Sequence, residues 1–259
     1  IMADERKFAL PDSQQFRAFY AQKRRRSRNS NIPIVVPITK NFINLLGDPP
    51  QAYYELATPW VAAGDFEIEV DFSTNDTGPN QWLFSDWDFG PSKRALGIKV
   101  GSNAIAAVFS VDGSTTVTSP AIAIPQDGKL HKAKLRYSND VGYLSLNGVA
   151  EVSVAVVGGI YQSGTPQTIG SLSGSNGEFF EGIISDVKLT DITTPANSLA
   201  FGLDNLTGDT EVNNGVTLNY RNIALDVRDT YTLVDGDWVG SELVTNGDFS
   251  DGSTGWVLR

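Results

Sequence analysis

LHKAKLRY at 130–137, VGYLSLNGVAEVSV at 141–154, TIGSLS at 168–173 and FFEGIISDVKLTD at 179–191 follow one another with turn chemistry between them. In the first, Leu130, Lys132, Lys134 and Arg136 alternate with His131, Ala133, Leu135 and Tyr137. This period of two is a strand with one wet face and one apolar face, the second set making the apolar one. Tyr143 to Leu146 repeats the pattern, and Asn147-Gly148 is the pair favoured in a tight two-residue hairpin, where both positions need φ > 0. The block specifies antiparallel β-structure.

The order of these elements resembles the laminin G-like, concanavalin A-like jelly-roll family. There a strand with an L-x-x-N/D-G hairpin is followed by an I-G strand and then by F-x-G-x-I-x-D-V-x-L. Here these are Tyr143 to Gly148, Ile169-Gly170, and Phe180, Gly182, Ile184, Asp186, Val187 and Leu189. The resemblance implies an all-β, two-sheet antiparallel jelly-roll sandwich. It says little about activity, because this sandwich serves lectins, glycosidases and structural spacers alike.

Working outward, the sandwich is expected to begin near Ala52. In DFEIEVDF, Phe66, Ile68, Val70 and Phe72 face a core while Asp65, Glu67, Glu69 and Asp71 face out. Further strands are expected at 81–86, 95–100, 104–110 and 115–119. After Asp191 the chain turns turn-rich, with irregular strands that wrap or extend the sandwich. The expected plan is a basic anchoring arm over 1–45, the sandwich over 46–192 and a β-rich extension over 193–240. ELVTNGDFSDGSTGWVLR resembles the opening strand of galactose-binding-like carbohydrate-binding modules, so 241–259 is read as the start of a following module.

Composition narrows the chemistry. With 259 residues and 25 glycines there is room for one main β-rich core plus extensions. Zero cysteines exclude disulfides and thiolate metal sites, and a single histidine leaves nucleophilic triads without support. No apolar run approaches the roughly 20 residues of a membrane helix, and IMADERKF lacks a signal-peptide core. Asn75-Asp76-Thr77 and Asn205-Leu206-Thr207 match glycosylation acceptors, read as chance without a secretory route. Residues 1–40 carry a net charge of +6 and the remaining 219 carry −16. A basic arm precedes an acidic body.

In that arm, SQQFRAFYAQKRRR after Pro11-Asp12 reads as a short helix with Phe16, Phe19 and Tyr20 on one stripe. These rings, with Arg24, Arg25 and Arg26, have the composition of an interface and are the candidate anchor into other virion proteins; the plainer reading is a solvated tail. KRRRSR could meet phosphates, but no aromatic reading surface accompanies it and the body is acidic, so nucleic acid is disfavoured. The virion context comes from resemblance: the "Y-x-L…G-x-W…G-x-E-L-V-T-N-G-x-F" tail is similar to those following laminin G-like modules in bacteriophage virion proteins.

Three constellations could carry chemistry. Glu67, Glu69 and Asp71 line one strand face, where i, i+2 neighbours stand roughly 6.6 Å apart, against the about 5–5.5 Å a retaining glycosidase needs. The spacing is E-x-E-x-D, whereas glucanase relatives carry E-x-D-x-x-E, so no catalysis is expected. WLFSDWDFG offers Trp82, Asp86, Trp87 and Asp88, residue types that stack on sugar rings and bond hydroxyls; the alternative is core, with Trp82 and Phe84 alternating inward and Trp87 capping the sandwich. Asp86, Asp88, Asp112 and Asn139-Asp140 fall in turns and would offer calcium hard oxygen ligands, though turn formation explains them equally. No other cofactor is expected.

Together these readings imply a non-enzymatic structural protein of a bacteriophage virion, a tail or capsid fibre or appendage. Its sandwich would be anchored by the arm, homo-oligomeric by analogy, and in contact with host-surface glycans. The alternative is a carbohydrate-binding module of a larger bacterial protein or polysaccharide-degrading enzyme.

Overall fold

A computed structural model describes residues 40–45, 52–74, 78, 80–88, 93–149, 151–172, 178–203, 210–222, 230–234 and 237–240, the segments 40–45, 222, 230–234 and 237–240 by backbone alone. The arm with Phe16, Phe19, Tyr20 and Arg24 to Arg26, both glycosylation-like triplets and the 241–259 segment lie outside the described residues. The strands are β1 (Lys40–Leu45), β2 (Ala52–Leu56), β3 (Phe66–Ser73), β4 (Gln81–Trp87), β5 (Arg94–Gly101), β6 (Ala104–Ser110), β7 (Thr116–Thr118), β8 (Ile122–Ala123) and β9 (His131–Ser138). They continue with β10 (Val141–Leu146), β11 (Val152–Ala155), β12 (Thr168–Ile169), β13 (Gly182–Asp191), β14 (Leu199–Gly202), β15 (Thr210–Asn213), β16 (Val216–Asn222), β17 (Thr230–Val234) and β18 (Asp237–Gly240). A single 3-10 turn, Pro195–Asn197, is the described helical element, and no described helix is long and apolar enough to cross a membrane.

All pairings are antiparallel and form two sheets. The first runs β11-β10-β9-β3-β13-β1-β17-β18, with β14 beside β13; the second runs β15-β16-β2-β12-β4-β5-β6-β7, with β8 beside β6. The two apolar faces close on one core, as in a jelly-roll sandwich. The expected alternation in β3 holds: Phe66, Ile68, Val70 and Phe72 are buried against Ala133 and Leu135 of β9, and Phe84, Ile98 and Phe109 of the second sheet join the same core. Each such side chain contributes about 1.5–3 kcal/mol of apolar burial. β1, which lies in the 1–45 segment, pairs with β13, and β16, from the 193–240 segment, pairs with β2.

Three two-residue turns join neighbouring strands, at Ser102-Asn103, Asn139-Asp140 and Asn214-Gly215, all six residues having positive φ. Short Asn and Asp side chains tolerate that backbone where bulkier ones do not. Asn147 and Gly148 also adopt positive φ (55° and 70°), and Val149 N–H donates to Leu146 O at 3.1 Å. The strands they join pair Leu144 with Val152, a register one residue off that of a two-residue hairpin. The Asn147 side chain turns back to β9 instead, its Oδ1 accepting from Lys132 N at 2.9 Å.

In β13, a bulge between Ile184 and Asp186 lets Ile184, Val187 and Leu189 all face the core despite their uneven spacing. The F-x-G-x-I-x-D-V-x-L pattern is therefore the record of a bulged strand.

Candidate functional site

The outer face of the first sheet carries the carboxylate row. Cross-strand register sets Glu69 opposite Lys134 and Asp71 opposite Lys132. Lys134 Nζ lies 2.8 Å from Glu67 and 3.8 Å from Glu69; Lys132 Nζ lies 3.1 Å from Asp71 and 4.0 Å from Glu69. Burial raises the Asp71 carboxyl above its ordinary range, and Lys132 opposes that shift. Arg136 instead stacks 3.7 Å over the Tyr143 ring centroid and donates to Glu151 at 2.6 and 3.3 Å. Each acid of the row thus has a cation as its nearest charged partner.

Beside this row lies an open cleft of about 270 Å³, bordered by Glu69, Asp71, Lys132, Asp186, Lys188 and Gly202. It exists because the outward positions of β14 are small, Ala200 opposite Lys188 and Gly202 opposite Asp186. Carboxylates that accept and ammonium groups that donate, on one open floor, match a polyhydroxylated ligand. Sequence alternation finds the acids and lysines; only the docking of β14 against β13 makes the depression.

The four residues read as one sugar site do not share one surface. Asp86 pairs with Leu96 on the inner side of the second sheet. There it accepts from Ser163 Oγ, from Thr165 Oγ1 at 3.3 Å and from Gln167 Nε2 at 3.0 Å. Gln167 also donates to Trp60 O (2.9 Å) and accepts from Trp60 N (2.7 Å), so this network fixes the 57–63 and 160–167 segments to β4. Burial raises the Asp86 carboxyl, the three donors lowering it in part. The adjoining pocket, about 20 Å³, cannot admit a sugar. Ser163, Thr165 and Gln167 carry no sequence signal that marks them as partners of Asp86.

Trp82 and Trp87 occupy the outer side of the same sheet. Register shifts flank Leu83 and Trp87, so Trp82 leaves the alternation that would have placed it inward with Phe84. Only 4% and 8% exposed, the two rings contact each other at 5.6 Å between centroids and form a second cluster with Val108 and Leu172. Trp82 Nε1 donates to Glu178 at 2.6 Å, with Lys99 6.0 Å from the Trp82 ring centroid and Arg94 5.5 Å from that of Trp87. The exposed stacking platform expected from the sequence is thus a packed aromatic cluster. Trp82 lies flat because Gly97 has no side chain: a Cβ there would fall 2.5 Å from the ring and 2.8 Å from Phe84 O. Gly97→Ala is expected to displace Trp82, costing about 1–3 kcal/mol and shifting tryptophan emission toward that of exposed indole. Unchanged emission and melting would contradict the packing.

Asp88 pairs with Lys93 at 3.0 Å. Asp112 accepts from Ser114 N, Thr115 N, Thr115 Oγ1 and Ser110 Oγ, which bring its carboxyl down to about 2. Asp140 accepts from Tyr137 OH at 2.8 Å. These turn acids are therefore each engaged within their own turn or neighbouring strand. No group of three or more His, Asp or Glu poised for a metal ion occurs among the described residues. His131 is buried, its Nδ1 facing Asn147 Nδ2 at 2.9 Å and its Nε2 facing Pro125 O at 3.1 Å.

No family model and no curated protein matches the chain. Solved structures do. A Bacteroides ovatus protein described as a candidate carbohydrate-binding protein superposes with a TM-score of 0.53 at 13% identity, over 74% of this chain and 62% of that one. Domains LG4-5 of the mouse laminin α1 chain give 0.47 at 16%, over 70% and 46%. A tailspike protein of an Escherichia coli O157:H7 bacteriophage gives 0.40 at 11%, over 65% and 27%. This chain thus spans less than two thirds of each of these proteins, and at such identities the likeness is one of fold. With its two antiparallel sheets closed on one core, the chain has the two-sheet jelly-roll sandwich fold that it shares with the Bacteroides ovatus protein.

Proposed function

We propose that the chain is a non-enzymatic structural and binding module of a bacteriophage virion appendage, in which the sandwich is a rigid carrier held by the basic arm and in contact with surface glycans. The observation that carries the non-enzymatic reading is the neutralised carboxylate row. A retaining glycosidase needs one acid kept protonated and one free to attack. Here Glu67, Glu69 and Asp71 are bridged by Lys132 and Lys134. The virion context rests on the resemblance of the 231–249 tail to those of phage virion proteins, and on a basic arm before an acidic body.

The glycan contact is assigned to the cleft beside β14, whose Asp186 and Lys188 are accessible where the tryptophan rings are covered. The Bacteroides ovatus fold neighbour, described as a candidate carbohydrate-binding protein, supports the second reading, a carbohydrate-binding module of a larger bacterial protein.

A glycan array probed with the full chain, followed by a reducing-end assay on every glycan retained, tests both. Retention without new reducing ends is expected, reduced at least tenfold in the double variant Asp186→Ala/Lys188→Ala. Cleavage by the wild-type chain, lost in Glu67→Gln, would overturn the non-enzymatic reading, and retention unaffected by the double variant would overturn the cleft. Peptides of this chain in purified virus particles distinguish the virion setting from the bacterial one.

A further inference from the structure

Strand β11 is one end of the first sheet. Its register with β10 pairs Ala155 with Val141 and Val154 with Gly142, and Val156 N–H donates to Asp140 O at 2.7 Å. In an antiparallel ladder, hydrogen-bonded and non-hydrogen-bonded pairs alternate. The main-chain groups of Val152, Val154 and Val156 therefore point to β10, while those of Ser153 and Ala155 point away from the sheet. No hydrogen bond from a described residue takes them up.

Natural sheets protect such ends with charges, proline or bulges. β11 has none of these, and the chain from 152 to 177 contains no charged residue at all. The two most exposed large apolar side chains among the described residues, Val149 (66%) and Val157 (74%), flank this strand. The other ends with described side chains differ. β15 carries Glu211 and turns its Glu211 and Asn213 side chains onto the N–H groups of β14, and β7 is three residues long.

We infer that β11 is a self-association edge, on which a second copy of this chain adds its own β11 antiparallel across a two-fold axis through Val154. Pairing Ser153 with the second copy's Ala155, and the converse, makes two hydrogen-bonded pairs with four N–H to O=C bonds. Val154 then faces its own counterpart in the non-hydrogen-bonded position between them, and Val157 lies beside the second copy's Glu151. A second copy fits better than an unrelated peptide because both edges then present the same strand, uncharged from residue 152 to 177, while the Glu151 at its start is already held by Arg136 of its own sheet. The association is expected to be weak in isolation, because four residues a side bury less than the roughly 1,200 Å² of a stable interface. It is independent of glycan binding, so either can fail without the other.

Cysteine scanning tests it, since the chain has no cysteine of its own. Non-hydrogen-bonded pairs bring Cα atoms to about 4.5 Å, within the 4.4–6.8 Å a disulfide spans. Full-length Val154→Cys is expected to oxidise to a covalent dimer at least tenfold faster than Ser153→Cys, whose counterpart is Ala155. Ala155→Pro removes only an outward N–H and leaves the ladder to β10 intact, so it should fold and stay monomeric in sedimentation velocity at concentrations where wild type self-associates. Equal cross-linking at positions 153 and 154, or wild-type sedimentation of Ala155→Pro, would overturn the proposal.

Discussion

Gly182→Ala is expected to destabilise the sandwich by about 3–5 kcal/mol from strain and overpacking together. Gly182 opens β13 with φ of 145°, a backbone region essentially reserved for glycine. An added Cβ would lie 2.2 Å from Ser73 O on β3 and 3.0 Å from the Phe180 ring. Neither neighbour can give way readily: Ser73 is paired with Ile183 at the end of β3, and Phe180 is fully buried edge-on to Phe72 at 6.1 Å. Domain stabilities are about 5–15 kcal/mol, so this single methyl group removes a large share. Gly148→Ala is the control. Its φ is also positive at 70°, but nothing lies within 4 Å of a Cβ there, so about 1–2 kcal/mol is expected. Urea denaturation of the two variants should separate clearly; equal midpoints would show that the contact with Ser73 is not what demands glycine.

The second large effect is expected at Asp191, whose carboxylate is fully buried at the end of β13. It accepts from Ala63 N at 2.9 Å, Thr194 N at 2.7 Å and Asn197 Nδ2 at 3.2 Å, tying the loop after β2 to the loop after β13. Trp60 Nε1 donates to Asn197 O at 2.8 Å and closes the same junction. Asp191→Ala strands these donors and is expected to cost about 2–4 kcal/mol. Burial by itself would raise the carboxyl; these donors, with the Thr193 backbone N–H, outweigh it and hold it below the ordinary aspartate range. A lowered folded pKa means that the unfolded chain takes up the proton first. The contribution is complete above the unfolded value, about 3.9, and is lost as pH falls through the folded one. Denaturation midpoints should therefore fall more steeply below about pH 4 in wild type than in Asp191→Ala; parallel pH profiles would exclude a stabilising carboxylate. Asp86 has the opposite sign. Its raised carboxyl favours the fold at low pH, and that contribution is lost as pH rises through the folded value, so the two buried acids offset each other in part.

Alternation and turn chemistry are local properties, and they were legible. The burial of Phe66, Ile68, Val70 and Phe72, the placing of β4, β5, β6 and β9, and the positive φ of Asn139, Asp140 and Asn147 follow from residues within a few positions of one another. The sides taken by Trp82 and Asp86 were not legible, because WLFSDWDFG does not keep strict alternation in the sheet. The register shifts in β4 set Trp82 outward and leave Asp86 inward with Ser163, Thr165 and Gln167, whose partnership spans about eighty residues.

By itself the sequence determined an antiparallel sandwich with an acidic outer row on β3 and turns at its Asn-Asp and Asn-Gly pairs, because period-two burial and turn chemistry are written into neighbouring residues. Tertiary structure alone decided which charges meet that row, where β14 leaves a cleft, that Gly97 makes room for Trp82, that the contact with Ser73 demands Gly182, and that β11 is one end of its sheet. Each of these depends on which distant strands lie side by side, and strand order is fixed by the packing of the whole core.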